Sequence, residues 1–88
     1  MQINKDFTIQ KVGTSYLAVP VGETSKTYHG MIRLNEMAAF IWGQLESRDM
    51  SEDELVDVIL AEYEVEREVA QKDVHALLQT LAENHCLV

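Results

Sequence analysis

Residues 44–88 contain neither glycine nor proline, and apolar side chains recur every three to four positions through that whole stretch. This is the spacing of helices that bury one face. The absence of both strong helix breakers leaves the stretch little else to become. All 4 glycines and the 1 proline stand at or before Gly43, in a part of the chain rich in Val, Ile, Thr and Tyr. The two textures together read as a strand segment followed by a helical segment within one domain. The 88 residues allow a single domain, residues 1–88. Its core is modest, because a chain this short hides only about 60% of its unfolded surface. A second catalytic domain or a large buried cofactor cavity does not fit. Hydrophobic residues at 47% and charged residues at 25% belong to a globular fold, not a disordered chain.

The strand segment divides at its turn residues. Residues 7–12 alternate apolar with polar and read as a first strand, Gly13-Thr14 as a turn, and residues 16–19 as a second strand. Pro20 places an edge or terminus there, since proline cannot donate to a ladder. Residues 22–26 form a polar loop, and residues 28–34 read as a third strand with Ile32 and Leu34 on one face and Met31 and Arg33 on the other. Asn35 is an N-cap for a first helix whose apolar face is Ala38, Ile41, Trp42 and Leu45. Ser51-Glu52-Asp53-Glu54 is a capping box opening a second helix, with Leu55, Val56, Ile59, Leu60 and Tyr63 as its stripe. A third helix spans about residues 66–84, with Ala70, Val74, Leu77, Leu78 and Leu81 inward, ending near Asn84 or His85. Cys86-Leu87-Val88 packs back as a tail. The expected fold is α+β: a three-stranded antiparallel sheet followed by three helices, winged helix-turn-helix-like.

The chemistry of catalysis is missing from this pattern. His29, His75 and His85 show no i, i+4 ligand spacing, and His85 beside Cys86 would bind a metal only with ligands from another chain. A single cysteine forms no internal disulfide, and Cys86 has no Lys or Arg beside it in sequence to activate it. None of the serines has a nucleophile-elbow setting, and the scattered glycines build no phosphate loop. Nor does any serine have the Asp-Ser-Leu-like setting of an acidic carrier protein. An enzyme is not expected, and no cofactor or metal is implied.

Charge narrows the partners. The whole chain carries a net −8, and the asymmetry is steep: residues 1–44 sum to +1 and residues 45–88 to −9. Within residues 64–85, where a helix-turn-helix would read DNA, Arg67 and Lys72 face Glu64, Glu66, Glu68, Asp73 and Glu83. That segment repels a phosphate backbone. No apolar run is long enough to span a membrane, and the first residues have no apolar signal core, so a cytosolic chain without nucleic-acid or membrane partners is expected. A protein-binding module is the remaining class.

Three stretches then align with a known pattern: Val19-Pro20-Val21-Gly22; Gly30-Met31-Ile32-Arg33-Leu34-Asn35-Glu36-Met37-Ala38-Ala39-Phe40-Ile41-Trp42; and Asp73-Val74-His75-Ala76-Leu77-Leu78-Gln79-Thr80-Leu81, closing on Cys86-Leu87-Val88. In order and spacing the chain resembles the PqqD family, also called the RiPP recognition element. It departs at His85-Cys86, where the family often has glycine before the terminal apolar pair, and at Glu66, where an aspartate often caps the third helix. The resemblance implies a non-catalytic adaptor for ribosomal peptide or PQQ-type cofactor maturation. Such an adaptor binds the leader segment of a precursor as a strand added to the third strand, in the groove beside the third helix. It presents that precursor to a modifying enzyme, often a radical S-adenosylmethionine enzyme. A chain this short is expected to do so in trans, as a monomer or a weak or swapped dimer.

The residues themselves offer a matching surface. An exposed third strand leaves backbone groups for a peptide to satisfy. The third helix carries a second stripe of mostly small residues, Val69, Asp73, Ala76 and Thr80, which would leave room beside Met31, Ile32, Arg33 and Leu34. Met31 supplies an adaptable apolar contact. Arg33 suits a leader carboxylate, and Asp73 a leader donor or cation. The same stripe also fits the margin of the core, and Arg33 also fits a guard against edge-to-edge aggregation. Two other functions remain open at this point: a winged-helix transcription regulator, and a scaffold subunit that docks only to its enzyme.

Overall fold

The alternation in residues 7–12 is that of a half-buried strand. In the computed structural model, which describes residues 1–23, 26 and 31–88, strand β1 is Phe7–Val12. It pairs antiparallel with β2 (Ser15–Pro20), from Phe7 opposite Pro20 to Val12 opposite Ser15. Gly13 turns the hairpin at φ 64°, a conformation glycine enters without a Cβ penalty. Strand β3 (Ile32–Leu34) pairs antiparallel with β2, setting Tyr16, Leu17 and Ala18 opposite Leu34, Arg33 and Ile32. The sheet order is β1-β2-β3, so β2 is central. Pro20 is tolerated there because it is the last residue of the strand.

The third strand is shorter than its sequence reading. Met31 lies outside it and is exposed. Pairing with β2 is confined to residues 16–18 of that strand. Tyr28, His29 and Gly30 of the expected strand, and Thr24 and Ser25 of the expected loop, lie outside the described residues.

The helices follow their caps. Helix α1 (Glu36–Ser47) begins where the Asn35 side chain accepts the Ala38 amide at 2.8 Å. Helix α2 (Glu52–Glu62) opens with the full capping box: Glu54 N–H donates to Ser51 Oγ at 3.2 Å and Ser51 N–H donates to Glu54 Oε1 at 3.0 Å. The Ser51 backbone N–H foremost, and after it the Ser51 side chain, hold the Glu54 carboxyl below its usual range. Helix α3 (Arg67–Glu83) has no such help, because Glu66 stands at its N-cap without a side-chain hydrogen bond. The described residues thus run three strands then three helices, an α+β arrangement.

The core lies between the inner sheet face and the helices. Phe7, Ala18 and Leu34 from the sheet meet Ile41, Trp42 and Leu45 of α1, Leu55 and Ile59 of α2, and Val74 and Leu81 of α3. Three residues of the expected apolar stripes, Leu60, Tyr63 and Leu77, are only half-buried at the margin of the core. The N-terminal segment closes the other side. Ile3 bridges Leu87, Ile3 N–H donates to the Leu45 carbonyl at 3.3 Å, and Asn4 N–H donates to the Cys86 carbonyl at 2.7 Å. The α-amino group of Met1 pairs with Asp49 and with the Met50 carbonyl. Cys86 is fully buried, and burial pushes its thiol up to about 11, which keeps it protonated and unreactive at neutral pH.

The turn out of α3 carries a strained residue. His85 takes φ 63°, the position past a helix end where glycine is favoured. Its carbonyl accepts the Asn4 side-chain amide at 2.9 Å, a bond that glycine would keep. His85→Gly is therefore expected to raise stability by about 0.5–1 kcal/mol, the left-handed penalty less the added freedom of the unfolded chain. Chemical denaturation of the two proteins checks it. None of the described helices is long and apolar enough to cross a membrane.

Candidate functional site

Strand β3 runs into α1 with only Asn35 between them, and α3 borders the same groove. The three elements leave a groove of about 330 Å³. Ile32, Arg33 and Leu34 form one wall, and Asp73, Ala76, Leu77 and Thr80 form the other. Asn35, Met37, Ala38 and Ile41 close the floor where α1 begins. Leu34, Ala38 and Ile41 are buried, Ile32, Met37 and Leu77 are half-buried, and Asp73, Ala76 and Thr80 are exposed. The floor is therefore apolar and the rim polar.

The sheet order puts β3 at an edge, with no described strand on its far side. Half of its backbone groups are used by β2, and the other half face away from it. The register decides which side chains follow. Ala18 and Leu34 are buried, so the row Ile9, Ala18, Ile32 and the row Lys11, Tyr16, Leu34 lie on the inner face. Arg33 belongs to the outer row with Leu17 and Gln10.

On α3 the opposite side is already engaged. Arg67 donates to Asp57 at 2.9 Å and His75 meets Glu52 at 2.9 Å, both on α2. The groove side is less committed. Thr80 Oγ1 donates to the Ala76 carbonyl at 3.1 Å, so its proton is used within the helix and it offers the groove only lone pairs and a methyl group. Neither Asp73 nor Arg33 has an ion-pair partner among the described residues. The groove thus combines an open strand edge, an apolar floor and one uncommitted acid, with one uncommitted base, Arg33, on the outer face of its strand wall. No group of three or more His, Cys, Asp or Glu among the described residues could hold a metal ion.

Of the eight residues proposed from sequence, Ile32, Arg33, Leu34, Asp73, Ala76 and Thr80 converge on this groove. Met31 and Val69 do not line it; both are exposed, at 65% and 47%. Val69 stands one turn before Asp73, past the groove. Asn35, Met37, Ala38, Ile41 and Leu77 were not proposed for the site. The signal for the first three was present: a strand that passes into a helix through a single cap residue must set the first helical turn under its own inner face. A second cavity, of about 480 Å³, lies away from this site between Ile3, Phe7, Val21 and Glu46. It has neither a strand edge beside β3 nor an α3 wall.

The fold matches solved proteins over almost its whole length. One, described as TbiB1 in complex with the TbiA(beta) leader peptide, is 25% identical at a TM-score of 0.76, covering 99% of this chain and 94% of that one. Another, described as lasso peptide synthetase B1 complexed with the leader peptide, is 24% identical at a TM-score of 0.73, covering 99% and 95%. No curated protein matches the chain in sequence. Residues 20–87 match the family model of coenzyme PQQ synthesis protein D (PqqD), from the end of the central strand through all three helices to the C-terminal tail. The chain belongs to the PqqD family.

Proposed function

We propose that residues 1–88 form one peptide-recognition domain, a non-catalytic adaptor that binds the leader segment of a ribosomally made precursor and presents it to a modifying enzyme. The observation that carries this reading is the groove itself: an edge strand facing a helix across an apolar floor, with room for an extended chain between them. Two proteins of the same fold are each described as a complex with a leader peptide. An extended peptide adding to β3 gains main-chain hydrogen bonds, and its alternate side chains enter the groove. Ile32, Leu34, Ala76 and Thr80 supply the walls, Arg33 and Asp73 the charged anchors, and Met31 and Val69 an exposed apolar surface outside the groove. The adaptor's second partner is the enzyme that modifies the precursor, in this family often a radical S-adenosylmethionine enzyme.

The test uses synthetic leaders of short peptides encoded near this gene, titrated by fluorescence anisotropy. Arg33→Asp and Asp73→Arg are each expected to weaken binding by at least about tenfold, or 1.4 kcal/mol, with unchanged circular dichroism. Native affinity in both folded variants would remove those residues from the site. A mobility shift on random duplex at low salt is expected to show no complex, given the net charge of −8; a complex there would favour a DNA-binding regulator instead. Binding to the enzyme with none to any leader would favour a scaffold that docks only to its partner.

A further inference from the structure

Strand β3 is only 3 residues long, so a peptide added to it has a short, definable frame. The frame begins from the faces of the sheet. Arg33 is on the outer face and its neighbours Ile32 and Leu34 are on the inner one. Alternation carries across to an added strand: the residue opposite Arg33 points outward, and the residues before and after it point into the groove. Those two inward side chains are about 6.6 Å apart along the strand. On α3, Asp73 and Leu77 both line the groove, and four helical residues rise about 6 Å. The two spacings are commensurate, which lets one inward side chain meet Asp73 while the other meets Leu77.

The three contacts differ in chemistry. Outside, Arg33 stands in a row with Leu17 and Gln10, neither of which offsets its charge. Inside, Leu77 is half-buried and apolar, beside Ala76. Asp73 is exposed, unpaired among the described residues, and set in a chain of net charge −8 that attracts cations as a whole. Lys72 is its neighbour in sequence but forms no ion pair with it.

We infer that the groove reads a charge-ordered triplet in the bound segment: an acidic residue facing outward to Arg33, flanked inward by an apolar residue at Leu77 and a basic residue at Asp73. This rests on the strand-addition reading above and adds the sequence class of the ligand. The order matters as much as the composition. A basic residue opposite Arg33 sets like charges directly across two strands, and an acidic residue at Asp73 does the same across the groove. The site selects for one arrangement and against its inverse.

Synthetic peptides that differ only in a central triplet test this on the native chain. Leu-Glu-Lys and Lys-Glu-Leu present the code in the two possible strand directions; Leu-Lys-Glu and Glu-Lys-Leu have the same composition with the charges exchanged. Anisotropy measures affinity, and amide shifts at Ile32, Arg33 and Leu34 confirm the place of binding. At least one glutamate-centred peptide is expected to bind about tenfold or more tighter than both lysine-centred ones. Arg33→Glu is expected to reverse the preference at the central position, and Asp73→Lys at the flanking charged position only. Equal affinities, with the β3 amides shifting throughout, would overturn the triplet code and leave strand addition standing. No shift of those amides with any peptide would overturn both.

Discussion

Replacing Ala76 by phenylalanine is expected to cripple leader binding while the domain remains folded. Ala76 stands midway along the α3 wall, between Asp73 and Thr80, and is exposed to the groove. Its methyl group marks the open space of a cavity of only about 330 Å³ that a peptide's inward side chains must enter. A phenyl ring there occupies that space and lies against the half-buried Leu77 and Ile32. The helix tolerates the change at a cost of about 0.5 kcal/mol in propensity, offset in part by the ring's own burial. Affinity for the leader is expected to fall by at least about a hundredfold, or 2.8 kcal/mol, while the melting temperature moves by only a few degrees. Anisotropy and a thermal melt on the same sample separate the two effects. Undiminished binding by a folded Ala76→Phe protein would place the peptide elsewhere.

The second large effect is on stability. Leu45 is fully buried at 0% exposure, near the end of α1, where its carbonyl also accepts the Ile3 amide of the N-terminal segment. Leu45→Ala leaves a cavity where α1 meets both the sheet and the terminal bridge, and is expected to cost about 2–5 kcal/mol. That is a large share of the roughly 5–15 kcal/mol available to a domain. Leu77→Ala makes the informative contrast. The same chemical change at a half-buried site on the groove is expected to cost only about 1 kcal/mol, yet to weaken leader binding. Trp42, the only tryptophan and fully buried, reports unfolding of both variants in urea by its fluorescence. Equal destabilisation by the two substitutions would return Leu77 to the core.

Local signals were legible where they act over one turn or one strand. β1 is bounded as its alternation implied, the Asn35 cap and the Ser51–Glu54 box make their expected bonds, and Glu66 fails to cap α3. The departures come where tertiary placement decides. β3 is cut to Ile32–Leu34 because a strand exists only where a partner pairs with it, and β2 pairs with it over three residues. Met31 therefore loses the strand position its alternation suggested. On α3 the helical period orders the side chains around the axis but says nothing of how deep each one sits. Leu77 and Leu78 are adjacent in one apolar stripe, yet Leu78 is buried and Leu77 forms groove wall. Likewise Val69 shares the stripe of Asp73, Ala76 and Thr80, but the groove stops before reaching it. The small residues of that stripe were visible as a gap; the contribution of Met37, Ala38 and Ile41 to its floor depends on α1 starting directly beneath β3, which is a fact of packing.

The most direct measurement follows the backbone amides of the isotope-labelled protein as a synthetic leader is added. Strand addition in the groove requires shifts at Ile32, Arg33 and Leu34 and at Asp73, Ala76, Leu77 and Thr80, with slowed hydrogen exchange at β3 as its free edge becomes paired. Shifts confined instead to Ile3, Phe7, Thr8 and Val21 around the second cavity, with β3 exchange unchanged, would contradict the account.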